Sequence, residues 1–336
     1  MPVPQPYTPA TMAFNLLILT SSIKDKREKD AVRTWPDQLR KRLPDVRVTL
    51  CESVEEAHRH IGEVDAAFGD IVPELFSKAK RLRWIHSPRQ GQPPEYYHKA
   101  LVESPVQVTI PRAIFSDHIA HQVLAYVLSF SRGIHHYVKQ QALHQYGPNH
   151  PVTYLPDCTA LIVGMGGIGV ETARLCVPFG MRVIGIDARR TDPLLGVAEM
   201  HGPSSLHSLL PQADFVILTV PHTPETEKMF TMREFKLMKR SGVFINVGRG
   251  ATVVLDDLTD ALNSGTIGGA ALDVYEIEPL PAGHRLWDAP NTILTPHMAG
   301  EGAYIDDRRR EAFFENCARF IKGEPLKDVV DKRMRF

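Results

Sequence analysis

The chain has 336 residues, 43% of them hydrophobic, enough for two domains each with a sizeable core. Lysine plus arginine equals aspartate plus glutamate at 39 each, so no bulk charge draws it to nucleic acid or to a membrane surface, and neither partner is expected. Its four cysteines, Cys51, Cys158, Cys176 and Cys317, are far apart and form no CxxC pair, which argues against a zinc site or disulfide framework and leaves no metal expected.

The first eleven residues, MPVPQPYTPAT, carry four prolines and no basic residue. They lack the charged start of a secretory leader, so residues 1–12 are expected to be a disordered tail and the location cytoplasmic. No apolar run reaches the length of a membrane span. From residue 14 the pattern alternates. Strands are expected at 14–20, 46–51, 66–68, 82–85 and 106–110, and helices at 24–42 (apolar Val32, Trp35, Leu39 and Leu43), 53–60 and 73–79. This predicts a small doubly wound, flavodoxin-like domain without a phosphate-binding glycine turn. After its fourth strand comes the loop His86-Ser-Pro-Arg-Gln-Gly-Gln-Pro-Pro94. A carboxyl-end loop is where open α/β sheets bind ligands, and a proline-punctuated surface loop is the equally weighted bland reading. Ser116 is expected to cap a long helix with Ile119, Val123, Ala125, Tyr126, Phe130 and Ile134 as a broad apolar set. Such a helix suits either a buried place within one chain or a homodimer contact through residues 116–150.

Residues 160–187 then read as strand, glycine turn, helix, strand. In the sequence Gly164-Met-Gly166-Gly167-Ile168-Gly169, the first glycine permits the turn, the second lets backbone approach a pyrophosphate, and Gly169 lets the helix pack close. The helix N-terminus offers N–H groups to the phosphates. Asp187 follows Gly169 by 18 residues and closes the second strand, where a carboxylate can accept both ribose hydroxyls. Arg189 and Arg190 stand close enough to hold a 2′-phosphate, but Asp187 would repel one, so NAD is expected with NADP as the second reading. Further strands at 215–220, 243–247, 268–274 and 291–295 bring the count in this domain to six. A helix at 308–321, with Phe313, Phe314, Cys317 and Phe320 on one side, is expected to return to the first domain. The fold class is therefore α/β: two doubly wound parallel-sheet domains, with a Rossmann dinucleotide-binding domain (113–299) inserted into a discontinuous substrate domain (13–112 and 300–336).

Three polar groups stand just past strand ends. They are Arg249 between two glycines, Glu278 before Pro279, and His297 after Pro296. Singly each is a bland turn residue; together they suit reduction of a 2-oxo acid. That reaction needs a cation for the carboxylate and a proton donor whose pKa lies near neutrality. A carboxylate beside the histidine would favour its protonated form, and on spacing alone Asp273, Glu276 or Glu278 could be that partner.

From about residue 82 onward the chain resembles the D-2-hydroxyacid dehydrogenase family, which includes glyoxylate and hydroxypyruvate reductases. The matching stretches are WIHSP (84–88) with Gly91, FSDHIA (115–120), the glycine turn, TVPHTPET (219–226), NVGRG (246–250), ALDVYEIEPL (271–280), TPH (295–297) and GEPL (323–326). The resemblance implies Arg249 as the substrate arginine, His297 as the acid/base and Glu278 as its partner. It implies that Asp273 faces the nicotinamide, that Gly166, Gly167 and Ile168 cradle the pyrophosphate, and that Pro221, Thr226 and Val247 line the site. Gln90 and Gly91 would offer backbone N–H groups to the substrate carboxylate. Arg89-Gln90-Gly91-Gln92 replaces the family's small residues, which leaves the substrate unspecified. A redox-sensing corepressor on the same scaffold is the alternative, because such proteins can keep the catalytic residues.

Overall fold

The computed structural model describes residues 14–335, so the tail expected over 1–12 lies outside the described residues. Two compact units are present; one runs to Ile114 and resumes at Ala303, and the other is Phe115–Gly302.

The first unit is a five-stranded parallel sheet. Its strands are β1 (Phe14–Leu19), β2 (Val46–Cys51), β3 (Ala66–Phe68), β4 (Trp84–His86) and β5 (Gln107–Thr109), in the order β2-β1-β3-β4-β5. β1 is an almost continuous apolar run, FNLLIL, because both faces of a parallel sheet are covered. On one face Trp35, Phe68 and Trp84 pack with Phe313, Phe314 and Cys317 of the C-terminal helix Ile305–Lys322. Trp35 stacks on Phe313 with ring centroids 5.6 Å apart. Those aromatics tie the two ends of the chain into one unit.

Two expectations for this unit need correction. The single helix over 24–42 is two, Lys26–Arg33 and Trp35–Arg42, broken at Thr34. Pro36 has no N–H to continue the first ladder, but it is well suited to the opening turn of the second. The helix over 53–60 is one turn, Val54–Ala57, capped by Ser53 and followed by a separate 3-10 turn, Ile61–Glu63.

The second unit has seven parallel strands where six were expected. They are β6 (Thr159–Val163), β7 (Arg182–Ile186), β8 (Glu199–His201), β9 (Phe215–Leu218), β10 (Val243–Asn246), β11 (Gly269–Leu272) and β12 (Thr292–Leu294), in the order β12-β11-β10-β9-β6-β7-β8. The missed strand, β8, is the edge sequence Glu-Met-His, none of whose residues is fully buried, so it carries no apolar pattern. The order reverses at β6, which pairs with β7 on one side and β9 on the other. A crevice at such a reversal, outside the carboxyl ends of the strands, is where this architecture binds ligands.

The long helix is Ser116–Ser131, and Ser116 is not its cap: Phe115 takes that position with no side-chain hydrogen bond, and Ser116 is buried in the first turn. Val123, Tyr126, Val127 and Phe130 bury against β6 and the helix after it within this unit. Ala125 is exposed, and Ile134 belongs to a second helix, Ile134–Ala142, that begins after Gly133 turns left-handed at φ +67°. A side chain at Gly133 would meet the His150 ring at 2.8 Å, so the break is built into the packing. Among the described residues no helix is long and apolar enough to cross a membrane, and no cluster of three or more metal-ligating side chains is present.

Candidate active site

The site residues of the second unit sit on loops at one edge of its parallel sheet, because every strand points the same way. β6 leads into Gly164, β7 into Asp187, β9 into Pro221, β10 into Arg249, β11 into Asp273 and Glu278, and β12 into His297.

The glycine turn has the geometry its spacing predicts. Gly164 has φ +101°, and a Cβ on Gly169 would lie 2.0 Å from the Gly164 carbonyl oxygen. A Cβ on Gly166 would meet nothing within 4 Å, so the backbone there is open to a ligand. Gly166 also caps the helix Gly167–Cys176 without any side-chain hydrogen bond, which leaves the first-turn N–H groups directed outward. These features fit the pyrophosphate of a dinucleotide on Gly166, Gly167 and Ile168.

Asp187 does more than its position suggested. Its Oδ2 accepts the Met165 N–H at 2.7 Å, and its Oδ1 accepts those of Arg189 and Arg190 at 2.8 and 3.0 Å. The carboxylate therefore ties the glycine turn to the loop after β7. Thr226 Oγ donates to the Pro221 carbonyl at 2.6 Å and accepts the Thr223 N–H at 2.8 Å, so Pro221 and Thr226 share one turn. Val247 is buried, with its N–H on the Leu218 carbonyl.

Arg249 is held by its flanking backbone. A Cβ on Gly250 would lie 1.9 Å from the Tyr275 carbonyl carbon, so only glycine lets the β10 loop approach the β11 loop. Buried Asn246 accepts the Gly248 N–H at 3.0 Å and donates to the Arg249 carbonyl at 3.2 Å. Burial depresses the guanidinium pKa and Glu278 partly offsets that.

His297 Nδ1 lies 2.7 Å from Glu278 Oε2. This contact raises the imidazole pKa above its ordinary value against the opposing effect of burial. For Glu278 burial works upward, but His297, the Tyr275 N–H at 2.9 Å and Arg249 together hold the carboxyl below its usual range. Of the three acids open on spacing, Glu276 turns away, accepting the Leu255 N–H at 3.2 Å. Asp273 is buried and accepts the Thr295 hydroxyl and the N–H groups of Met298 and Ala299. It braces the loop that carries His297. Thr295 and Tyr275 were not singled out from sequence, although both stand within stretches that carry the resemblance.

Gln90 and Gly91 lie in the first unit, on the loop after β4. Gly91 is left-handed at φ +74°. Gln92 Nε2 donates to Ser87 Oγ at 2.7 Å and to Asp70 Oδ1 at 2.5 Å, and Arg89 pairs with Asp70. The polar side chains that distinguish this loop thus brace it from within.

Residues 124–299 match the family model described as the NAD-binding domain of D-isomer specific 2-hydroxyacid dehydrogenases. A glyoxylate/hydroxypyruvate reductase B from Klebsiella pneumoniae is 31% identical over 90% of this chain and 98% of its own length. Three further curated relatives are matched over 57%, 52% and 63% of their lengths. Among solved structures, a D-isomer specific 2-hydroxyacid dehydrogenase from Xanthobacter autotrophicus, in complex with NADPH and MES, is 28% identical with a TM-score of 0.82, covering 96% of this chain and 100% of that one. An NADPH-dependent glyoxylate/hydroxypyruvate reductase from Sinorhizobium meliloti, in complex with NADP and sulfate, is also 28% identical, with a TM-score of 0.80 and the same coverages.

Proposed function

The chain belongs to the D-isomer specific 2-hydroxyacid dehydrogenases, a family of NAD(P)-dependent oxidoreductases, and from that premise we propose that it interconverts a small 2-oxo acid and its D-2-hydroxy acid through Arg249, Glu278 and His297. The observation that carries the reading is the 2.7 Å contact of His297 with Glu278 at the sheet edge where Arg249 also stands. Arg249 binds the substrate carboxylate and polarises the carbonyl. Nδ1 of His297 is occupied by Glu278, so Nε2 faces the reactant and donates its proton to the carbonyl oxygen. The hydride for the carbonyl carbon would come from a reduced nicotinamide cofactor held on Gly166, Gly167 and Ile168. In the reverse direction neutral His297 takes the hydroxyl proton. Asp273 stands at the nicotinamide end, as the family resemblance implies.

The test is a panel of 2-oxo acids, glyoxylate and hydroxypyruvate among them, with NADH and with NADPH. Loss of reduced-cofactor absorbance supports the enzyme. Cofactor binding without turnover on any member would instead favour the corepressor-type reading.

For the cofactor, NADH is proposed over NADPH because the Asp187 charge would face a 2′-phosphate. Asp187→Ala should lower the NADH-to-NADPH preference by about tenfold or more, each tenfold being ~1.4 kcal/mol of discrimination. It should also weaken both cofactors, since Met165 loses its acceptor. Dissociation constants for both cofactors decide this, and a clear NADPH preference in the unaltered chain would give the deciding role to Arg189 and Arg190.

The proposal includes a cytoplasmic homodimer. Ile134, Val138, Leu143 and Tyr146 are exposed within the 116–150 region, and the four cysteines are buried and unpaired, as suits a reducing compartment. Sedimentation should give twice the 37.6 kDa chain mass. A monomer throughout the micromolar range contradicts it.

A further inference from the structure

Thr295, two residues before His297, is a junction of hydrogen bonds. Its hydroxyl donates to Asp273 Oδ1 at 2.5 Å. A carboxylate can only accept, so that proton's direction is fixed, and the Tyr126 phenol, also 2.5 Å from the Thr295 hydroxyl, must be the donor to it. The Thr295 carbonyl accepts the Tyr275 hydroxyl at 2.9 Å and the His297 N–H at 3.1 Å. Beyond the histidine, Met298 and Ala299 donate to the same Asp273 at 2.9 Å each. His297 itself has φ +52°, a conformation that residues other than glycine adopt when their surroundings impose it.

We propose that Tyr126 and Thr295 are positioning residues: the Tyr126–Thr295–Asp273 chain holds the His297 backbone in its left-handed conformation, with Nδ1 on Glu278. Tyr126 reaches the loop from the Ser116–Ser131 helix, where its ring is buried in the core of the second unit. A residue that periodicity assigns to packing thus has its polar end on the catalytic loop. The inference rests on the reading of His297 as acid/base. Two carboxylates, Glu278 and Asp273, favour the protonated imidazole, and Arg249 opposes it. Both phenols stay protonated through the neutral range, since burial raises the pKa of Tyr126 and of Tyr275. When the chain of bonds is cut, the loop loosens, the Glu278 contact lengthens, and the His297 pKa falls toward about 6.5.

The experiment compares Thr295→Val, Thr295→Ser and Tyr126→Phe with the parent. One readout is the His297 imidazole pKa by NMR, its resonance assigned by loss in His297→Gln; the other is kcat and KM for the best 2-oxo acid. Thr295→Val should lower the imidazole pKa and reduce kcat by about tenfold or more, the scale of effect that a misplaced catalytic group produces. Tyr126→Phe should move both in the same direction by less, and Thr295→Ser should restore near-parental values. Tyr126→Phe removes a single oxygen and decides the matter if Thr295→Val does not fold. A parental imidazole pKa in Tyr126→Phe and in folded Thr295→Val overturns the assignment. So does a lowered melting temperature with that pKa unmoved, because it marks the bonds as merely structural. The NMR readout needs no turnover, so a parent inactive on every 2-oxo acid would sink the catalytic reading while this inference still stands or falls on the imidazole pKa.

Discussion

His297→Ala should lower turnover by about two orders of magnitude or more while leaving cofactor affinity little changed. The imidazole is a group with a proton to give near neutrality, and its Glu278 contact favours the protonated form. The glycine turn and Asp187, which would carry the cofactor, follow other strands and do not depend on it. The same pair fixes the pH dependence. The His297 pKa is raised in the folded chain, chiefly by the Glu278 hydrogen bond, so the protonated form persists above the ordinary imidazole value of about 6.5. Reduction should hold a plateau at lower pH and fall as pH rises through the raised pKa; oxidation should rise over the same interval. Glu278→Gln should shift both limbs to lower pH. Steady-state rates in both directions across pH check this, and turnover of His297→Ala within a few-fold of the parent would remove the residue from the mechanism.

Arg249→Gln should lower kcat/KM by about two to three orders of magnitude, the cost of losing a charge-assisted, bidentate grip on carboxylate and carbonyl. The effect is expected in both KM and kcat, because the guanidinium both binds the substrate and polarises the reacting bond. Gly250 and Asn246 hold the surrounding backbone independently, although the substitution also removes the guanidinium's own hydrogen bond to the Gly248 carbonyl at 2.6 Å. Glu278 provides an internal check. Arg249 is one of the groups holding its carboxyl low, so removing the charge should let the Glu278 pKa rise. A kcat/KM within tenfold of the parent would assign the carboxylate to another cation.

Much of this site was legible because its chemistry is written in local sequence. The glycine turn, Arg249 between glycines and the strand-end positions of Glu278 and His297 are short-range patterns, and parallel strands then gather the second unit's residues at one edge. What was not legible depends on long-range contact or on competing local rules. Tyr126 and Thr295 are 169 residues apart; periodicity marks Tyr126 as buried but is silent on where its hydroxyl points. The glycine spacing leads to Asp187 as an expected ribose acceptor, but not to the three N–H groups it holds. The helix break at Thr34, ahead of Pro36, lies beneath a continuous apolar stripe, and β8 has no such stripe to mark it. Conversely, Ile134 continued the helical spacing of the long helix, and only the Gly133 packing against His150 ends that helix first.

In the proposed reaction hydride reaches the carbonyl carbon of a 2-oxo acid while His297 protonates its oxygen. Hydroxypyruvate reduced with cofactor deuterated at the transferable nicotinamide position tests it most directly, the product being resolved by chirality and mass. The expected product is D-glycerate carrying one deuterium at C2, formed by the parent and nearly absent with His297→Ala. Unlabelled product, or deuterium found in L-glycerate, would contradict it.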